Sequence, residues 1–486
     1  MRESPNRKDL GSYYTPPAAV RTLVSWATRG VPSGPVLDPS CGDGRFLAGL
    51  NDGVGVDIDP AAVAEASRCV NADIIAADFF EWAPDTNRRF AAAVGNPPFI
   101  RYQRFSGRAR ERALHYCAAQ GVKLSGLCSS WAPFVVGASR LLKRGGRLAF
   151  VVPAEIGHAV YAREVVRYLL GSFERVEVIA VREKLFPDLS EDCWLLRASG
   201  FGGCSEAIHF VRLDSLRAEE SSWAFEPVSV DELGRWGFRL RAFLVPSSIR
   251  AAYLDIAVHA AVSRLGNVAR IGIGYVTGAN DFFHLRPSDA AALGIPNEVL
   301  RVAIRSNRDL VVDDIDEDVV GSWIANDRPV LLLDLAGRSE LPGSVEAYLE
   351  SEAARAASGS YKCRNREPWY AVPDVRTPHA FLSIMSGRGP RLVGNSAGVT
   401  CTNSVHAVHF LDKADAKRYV SNWRNELTTL SCELEGHALG GGVLKIEPSE
   451  ARRVLLAPGL DLSEEQKELL RSGTRELRRW RHFRAA

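Results

Sequence analysis

The chain has 486 residues, 46% hydrophobic and 24% charged, an ordinary globular composition long enough for two or three domains with cores of their own. Lys+Arg 60 against Asp+Glu 58 leaves a net charge of +2, which excludes dominant disorder and a uniformly basic surface, so any nucleic-acid site must be a local patch. No stretch approaches the roughly 18 consecutive apolar residues of a membrane span, Met1–Lys8 leads into no apolar signal core, and nine scattered cysteines without a C-x-x-C pair read as reduced thiols of a cytoplasmic protein.

In chain order, Pro35-Val36-Leu37-Asp38 reads as a buried strand, followed by the glycine turn Ser40–Gly44 and a helical run from Arg45 to Leu50. Val54–Asp57 is a second strand, and Asp59-Pro60 opens a helix with a capping carboxylate and a proline in the first turn. Ile74–Ala77 and Ala91–Gly95 supply two more strands. A helix covers Trp131–Leu142 and is broken by Gly145-Gly146, after which Arg147–Val152 is a β-prone run ended by Pro153. Strands near Val176–Val181 and Cys193–Arg197 finish the series. This alternation predicts a parallel, doubly wound α/β sheet with right-handed crossovers. Beyond Ser222 the alternation fades and aromatics and arginines interleave, which places a boundary between Glu219 and Arg250 and gives domains 1–230 and 231–486. In the second, acidic residues cluster over Val312–Asp318 and basic ones at Arg364, Arg366 and Arg376. Ser463–Arg484 reads as a terminal helix, and the chain has no internal repeat and no low-complexity tract.

The turn after the first strand, Asp38-Pro39-Ser40-Cys41-Gly42-Asp43-Gly44, has glycines that let the backbone approach a ligand closely. It is not a phosphate loop: no Lys-Ser/Thr follows and the pattern is not G-x-G-x-x-G. Asp38 suits a cationic or amine-bearing ligand instead. Asp57, ending the second strand, is placed to take two ribose hydroxyls. Asp78, ending the third, could accept the amino group of an adenine ring. Each aspartate alone reads as a turn cap; three at successive strand ends describe an adenosine site. Asn96-Pro97-Pro98-Phe99 then follows the fourth strand. The Asn96 side-chain oxygen, with the Pro97 carbonyl held rigid by Pro98, can accept both hydrogens of an exocyclic amine. That aims the nitrogen lone pair at an incoming methyl group and offsets the charge growing on nitrogen, while Phe99 offers a flat stacking face.

On these residues the chain resembles the gamma-class amino-methyltransferases of DNA, the TaqI-type adenine-N6 methylases. The resemblance implies a Rossmann-like S-adenosylmethionine-dependent methyltransferase domain with a mixed, mostly parallel sheet, followed by a C-terminal α+β target-recognition domain. Gly11-Ser12-Tyr13-Tyr14-Thr15-Pro16-Pro17 is similar to the family's leading motif, which assigns Tyr14, Thr15 and Pro16 to the methionine moiety of the cofactor. Asp38, Pro39, Cys41 and Gly42 match the methionine-end loop, Asp57 and Ile58 the ribose site, and Asp78 and Phe79 the adenine site. Asn96, Pro97, Pro98 and Phe99 match Asn/Asp-Pro-Pro-Tyr/Phe, with Asn96 and Pro98 also bordering the cofactor; Phe99 keeps the stacking face and loses only a hydroxyl. Leu185-Phe186-Pro187 resembles a later motif whose aromatic, here Phe186, contacts the other face of the extruded base. Thr277–Phe283, Asn365–Tyr370 and Gly440–Pro448 look like recurring segments of the recognition region. They make Asn280, Arg366, Trp369 and Tyr370 candidate DNA contacts, with packing as the competing reading of the last three.

The implied activity is site-specific methyl transfer to an adenine flipped out of duplex DNA, with flanking bases read in the major groove and phosphates held by arginines. It needs no metal and no covalent nucleophile. Methylation at cytosine carbon-5 needs a Pro-Cys nucleophile that the sequence lacks, and Cys41 reads as a small packing residue. His406 and His409 fall on opposite faces if their segment is a strand, which argues against metal. About ten residues precede the Tyr-Thr-Pro motif and no nuclease cluster follows, so any restriction endonuclease is expected as a separate polypeptide, with the methylase a monomer. Methylation of RNA or of a protein glutamine amide is the enzymatic alternative, because those enzymes also use N-P-P-Y/F; they usually carry a small substrate domain before the catalytic one. A recognition subunit with a decayed cofactor fold is the non-enzymatic alternative, and the presence of Asp38, Asp57, Asp78 and Asn96 speaks against it. Adenine over cytosine follows from the resemblance alone, since related cytosine enzymes tend to have Ser where Asn96 stands.

Overall fold

A computed structural model describes residues 14–483 except 188, 190 and 218, so Gly11, Ser12 and Tyr13 of the leading motif lie outside the described residues. The chain divides into two compact units, up to Leu244 and from Val245.

The first unit is built on nine strands: β1 (Val36–Asp38), β2 (Gly53–Asp57), β3 (Asp73–Ala76), β4 (Phe90–Gly95), β5 (Leu142–Pro153), β6 (Phe173–Val181), β7 (Cys193–Phe201), β8 (Ala207–Leu213) and β9 (Glu226–Ser229). Their order is β3-β2-β1-β4-β5-β7-β6-β8-β9. The five from β3 to β5 are parallel. β7 lies antiparallel between β5 and β6, β8 runs parallel to β6, and β9 closes the edge antiparallel to β8. This is the mixed, mostly parallel α/β sheet that the resemblance implied; the parallel sheet read from the alternation alone fails at β7 and β9. All six residues of β4 are buried, as befits a central parallel strand covered on both faces. Helix α1 (Pro17–Thr28) lays Ala19, Leu23 and Ala27 on the sheet, and α2 (Pro60–Cys69) starts where Asp59 accepts the Ala61 N–H at 3.0 Å. Helices α3 (Phe79–Asp85), α4 (Gly107–Ala119), α5 (Trp131–Arg140) and α6 (Ala162–Ser172) complete the layers. The chain runs outward from β1 to β3 and then returns to the other side of β1 as β4. That reversal leaves a crevice at the carboxyl ends of β1 and β4, the place where open α/β sheets bind ligands.

Several elements differ from the sequence reading. Arg45–Leu50 is not helical: amides of Gly44, Leu47 and Leu50 each bond to a carbonyl three residues back, and Gly42, Gly44 and Gly49 have φ of 53°, 81° and 79°. Successive turns with left-handed glycines cannot propagate a right-handed helix. Gly145 and Gly146 do not separate helix from strand either. They lie inside β5, where Phe90 pairs with Leu142 but Ala92 pairs with Arg147, so the glycines absorb a bulge. The helix before them stops at Arg140. The sheet continues past Arg197 through β8 and β9. The helix Val230–Arg235 and the turn Leu240–Leu244 belong with it: Phe243 packs 6.1 Å from the Phe210 ring and its carbonyl accepts Arg212 Nη1 at 2.9 Å. Residues 231–244, assigned to the second domain from sequence, therefore sit in the first unit.

The second unit is α+β. Its largest sheet has five strands in the order Ala269–Ile273, Val405–Phe410, Ala380–Ser383, Leu392–Asn395 and Asp314–Ile315, antiparallel except for the last pair. The terminal helix runs Glu464–Trp480 behind a Ser463/Gln466 capping box. It ends before Arg484 because His482 turns to φ 59° and the buried Arg481 guanidinium engages Glu433 at 2.8 and 2.9 Å. Among the described residues no helix is long and apolar enough to cross a membrane.

Candidate active site

The crevice is assembled from strand ends. β1 finishes on Asp38, which is buried, and β4 finishes on Gly95 with φ 152°. A Cβ at Gly95 would stand 2.6 Å from Asp38 Oδ1, so only glycine lets these two ends meet. Asp38 Oδ1 accepts the Ser40 N–H at 3.2 Å, whereas its buried Oδ2 has no hydrogen-bond partner among the described residues. Asp57, ending β2, accepts from Gly42 N–H at 2.8 Å and Asp59 N–H at 2.9 Å, which ties the glycine turn to the second strand. Cys41 donates its N–H to the Val56 carbonyl and fills the space over Gly55, where a Cβ would lie 2.8 Å from Sγ; it is a packing residue. Asp78 caps α3 by accepting the Phe80 N–H at 2.8 Å and stands 3.3 Å from the Arg112 guanidinium of α4. Phe79 beside it stacks on Phe134 with ring centroids 5.3 Å apart.

Among these strand ends lies a cavity of about 280 Å³. Tyr14, Thr15, Pro39, Cys41, Gly42, Asp57, Ile58, Asp78, Phe79, Asn96 and Pro98 all reach its wall. Asp38, Pro16, Pro97, Phe99 and Phe186 do not. Pro16 precedes α1 as its cap residue, and Asp38 lies behind the wall under Ser40. Phe186, 6% exposed, and the half-buried Phe99 pack on the apolar cluster of Val94, Val151, Ile179 and Leu195. Arg45 organises the remaining wall: it pairs with Asp43 through Nε and Nη2, donates to the Thr15 carbonyl at 2.7 Å and covers the Tyr14 ring at 4.5 Å. Burial opposes ionisation of Asp43, yet its pair with Arg45 outweighs that and holds the carboxyl below its usual range. Asp38 is pushed well above the carboxylate range by burial, with Asp57 and Asp43 adding repulsion, and Asp57 is raised by burial against its amide donors. No lysine or arginine pairs with Asp38 or Asp57 among the described residues, so burial and mutual repulsion at these carboxyls are left for a cationic ligand to relieve.

In the second unit the four candidate contact residues are tied inward. Trp369 lies 5.5 Å from the Phe282 ring and 6.2 Å from Phe283, and Tyr370 follows 5.9 Å from Trp369. Arg366 donates to the Thr277 carbonyl at 2.7 Å and to the Val276 carbonyl, while Asn280 Oδ1 accepts from Thr277 Oγ1 at 2.5 Å. Arg366 also borders a cleft of about 850 Å³ that gathers Arg270, Lys362, Arg376 and His409. Arg270 stands directly opposite His409 across an antiparallel pair, Gly272 opposite Ala407 leaves open space on the same pair of strands, and Asp374, 3.4 Å from Arg376, also lines the cleft. His406, three residues before His409, is fully buried with Nε2 2.8 Å from the Ile446 carbonyl oxygen.

Family models match the chain in both units, and the match in the first unit includes the Asn96–Phe99 turn. Residues 239–484 match the C-terminal domain of the Type II methyltransferase M.Eco57I, and residues 62–186 match the Eco57I restriction-modification methylase. The chain belongs to the Type II DNA methyltransferases of restriction-modification systems. The methyltransferase is 24% identical to Type II methyltransferase M.XamI of Xanthomonas campestris pv. amaranthicola over 476 residues, covering 93% of this chain and 85% of that one. It is 30% identical to M.TthHB8I of Thermus thermophilus over 243 residues, 47% of this chain and 54% of that one. Its fold is similar to that of the Type IIL restriction-modification enzyme MmeI, solved in complex with DNA, with a TM-score of 0.56 at 12% identity, covering 99% of this chain and 77% of that one.

Three groups of residues at the methyltransferase's sites carry no motif. Arg45 follows the glycine turn but could be read there only as part of a helix. Arg112 and Ser130 reach Asp78 and the Asn96 turn from helices far along the sequence. Of the cleft cations, Arg376 belongs to the basic cluster read from the sequence, whereas Arg270 and Lys362 carry no local pattern that joins them to it.

Proposed function

We propose that this methyltransferase is a gamma-class enzyme that moves a methyl group from S-adenosylmethionine to the N6 amine of an adenine flipped out of duplex DNA. The observation that carries the proposal is the shared cavity wall: Asn96 and Pro98 border the same space as Asp57, Asp78 and Thr15. The residues fit the cofactor, because the Asp57 carboxyl on the cavity wall and the orphaned Asp38 oxygen behind it suit a cationic sulfonium and its amino group. When bound, S-adenosylmethionine supplies an electrophilic methyl group. On this proposal Asp57 and Ile58 hold the ribose, Asp78 and Phe79 the adenine, and Tyr14, Thr15 and the Asp38–Gly42 turn the methionine end. Asn96 Oδ1 and the Pro97 carbonyl accept the two amine hydrogens, which leaves the nitrogen lone pair available and draws off positive charge as it develops. Phe99 and Phe186 pack on one apolar cluster beside that turn, and an entering base would displace this packing to stack on them.

The cleft at Arg270, Lys362, Arg376 and His409 supports duplex DNA as the substrate, since clustered cations suit phosphates. We take a single chain as the active form and cutting as the work of a separate endonuclease. Arg270→Ala is expected to weaken DNA binding about tenfold and to lower the salt dependence of binding by about one ion, with cofactor affinity unchanged. Fluorescence anisotropy across a salt series reads both, and an unaltered affinity and slope would put the DNA elsewhere. The reaction itself is tested by nucleoside mass spectrometry of unmethylated duplex DNA incubated with the protein and S-adenosylmethionine. New N6-methyladenine is the expected product. Measurable cofactor binding without a methylated base would shift the substrate to an RNA or protein amide.

A further inference from the structure

Ser130 stands at the start of α5, more than thirty residues past the Asn96 turn, and it is buried. Its Oγ accepts the Ile100 N–H at 2.9 Å and donates to the Pro98 carbonyl, and its own N–H donates to the Ile100 carbonyl at 3.0 Å. One residue thereby grips the turn from both directions. The turn needs such a grip, because neither Pro97 nor Pro98 has an N–H with which to bond its own loop. Ser130 also borders the cavity shared by Asn96 and Pro98.

Behind Ser130 lies a half-buried acid, Glu155, that the reaction does not use. Ser129 Oγ donates to both carboxylate oxygens of Glu155 at 3.3 and 3.1 Å, and the Trp131 indole donates to the Tyr161 hydroxyl at 2.8 Å. Glu155 sits in the single turn Ala154–Gly157 directly after β5, so it fixes Ser129, Ser130 and Trp131 relative to the sheet. Burial pushes the Glu155 carboxyl up, and hydrogen bonds from Tyr161 and Ser129 work against that rise.

We propose that Ser130 is a positioning residue for methyl transfer: it fixes the Pro98 carbonyl and the Ile100 amide, and through them the Asn96 side chain and Pro97 carbonyl, with Glu155 bracing it through Ser129. The inference rests on the reading that Asn96 and Pro97 hold the reacting amine. A misplacement of about 1 Å at such a centre costs on the order of a hundredfold in rate without touching the reacting groups.

The test compares Ser130→Ala, Ser130→Thr, Glu155→Ala and the Ser130→Ala/Glu155→Ala double variant by single-turnover rate, cofactor affinity from calorimetry and melting temperature. Ser130→Ala is expected to lose about 10- to 100-fold in rate with cofactor affinity within twofold, and Ser130→Thr, which keeps the hydroxyl, to recover most of it. The double variant should be no slower than Ser130→Ala, since Glu155 acts through Ser130. A Ser130→Ala rate within twofold of wild type overturns the proposal. So does a rate loss accompanied by an equal loss of cofactor affinity and a collapse in melting temperature, which would mark a purely structural serine. Additive losses in the double variant overturn the part given to Glu155. If the wild-type protein methylates no amine at all, the reading of Asn96 fails instead, and that outcome is seen before any variant is made.

Discussion

Asn96→Ala is expected to lower the rate of methyl transfer by about 10²- to 10³-fold, the loss seen when one fixed dipole is removed from a developing charge. Cofactor and DNA affinities should stay within about threefold, because Asp57, Asp78, Thr15 and the second-unit cleft are untouched. The truncation leaves the Pro97 carbonyl as the sole acceptor for an amine that offers two hydrogens, so the nitrogen is neither aimed nor relieved of charge. Asn96→Asp separates these effects. It keeps an acceptor oxygen at the same position and should retain more activity than Asn96→Ala. Single-turnover rates with preformed complex read the chemical step directly. A near-wild-type rate for Asn96→Ala would remove Asn96 from the reaction.

Asp38→Asn should move activity and stability in opposite directions. Asp38 is buried, its carboxyl is held well above the usual range, and its Oδ2 has no partner among the described residues. Because the folded-state pKa exceeds the unfolded one, the stability linked to protonated Asp38 is full at low pH. It is lost progressively as pH rises from the unfolded-state value through the raised one, so a carboxyl at this position strains the fold as pH rises. A neutral amide removes that strain and can still accept the Ser40 N–H. In the absence of ligand the melting temperature at neutral pH should rise by about 2–4 °C, the shift that roughly 1 kcal/mol produces in a domain of this size. Cofactor affinity should fall more than tenfold as the anion that favours the sulfonium end disappears. Calorimetric unfolding and titration read the two effects on one preparation. Lower stability together with unchanged affinity would show that Asp38 serves the fold alone.

The strand-end carboxylates and the Asn96 turn were legible because each is local: a short apolar run, then an acid or a rigid proline pair at its end. Eleven motif residues reach one wall for that reason. What local pattern cannot carry is the partner of each motif. Arg112 beside Asp78 and Ser130 over Pro98 arrive from helices whose register depends on how α4 and α5 pack. The helix expected over Arg45–Leu50 failed because a run of helix-forming residues counts for little between left-handed glycines. Phe186 and Trp369 were singled out as aromatics beside motifs, and an aromatic ring there serves an apolar cluster as readily as a stacking face. Of the last two strands, β9 carries the polar residues that a sheet-edge strand tolerates on its open face, whereas β8 is a mostly apolar run, Ala207–Leu213, that lies past the point where the strands were read to end.

The strand order β5-β7-β6 carries a consequence for synthesis. β6 precedes β7 in the chain, yet it reaches β5 only across β7. A nascent chain that has released residues up to Val181 has made β5 and β6 but not the strand that joins them. The β5 edge, whose Phe150, Val151 and Val152 are fully buried in the finished fold, stays open until Cys193–Phe201 follows from the ribosome. Unpaired apolar edges are the places where growing chains mispair. In this protein the β5 edge waits through the 48 residues from the end of β5 at Pro153 to the end of β7 at Phe201.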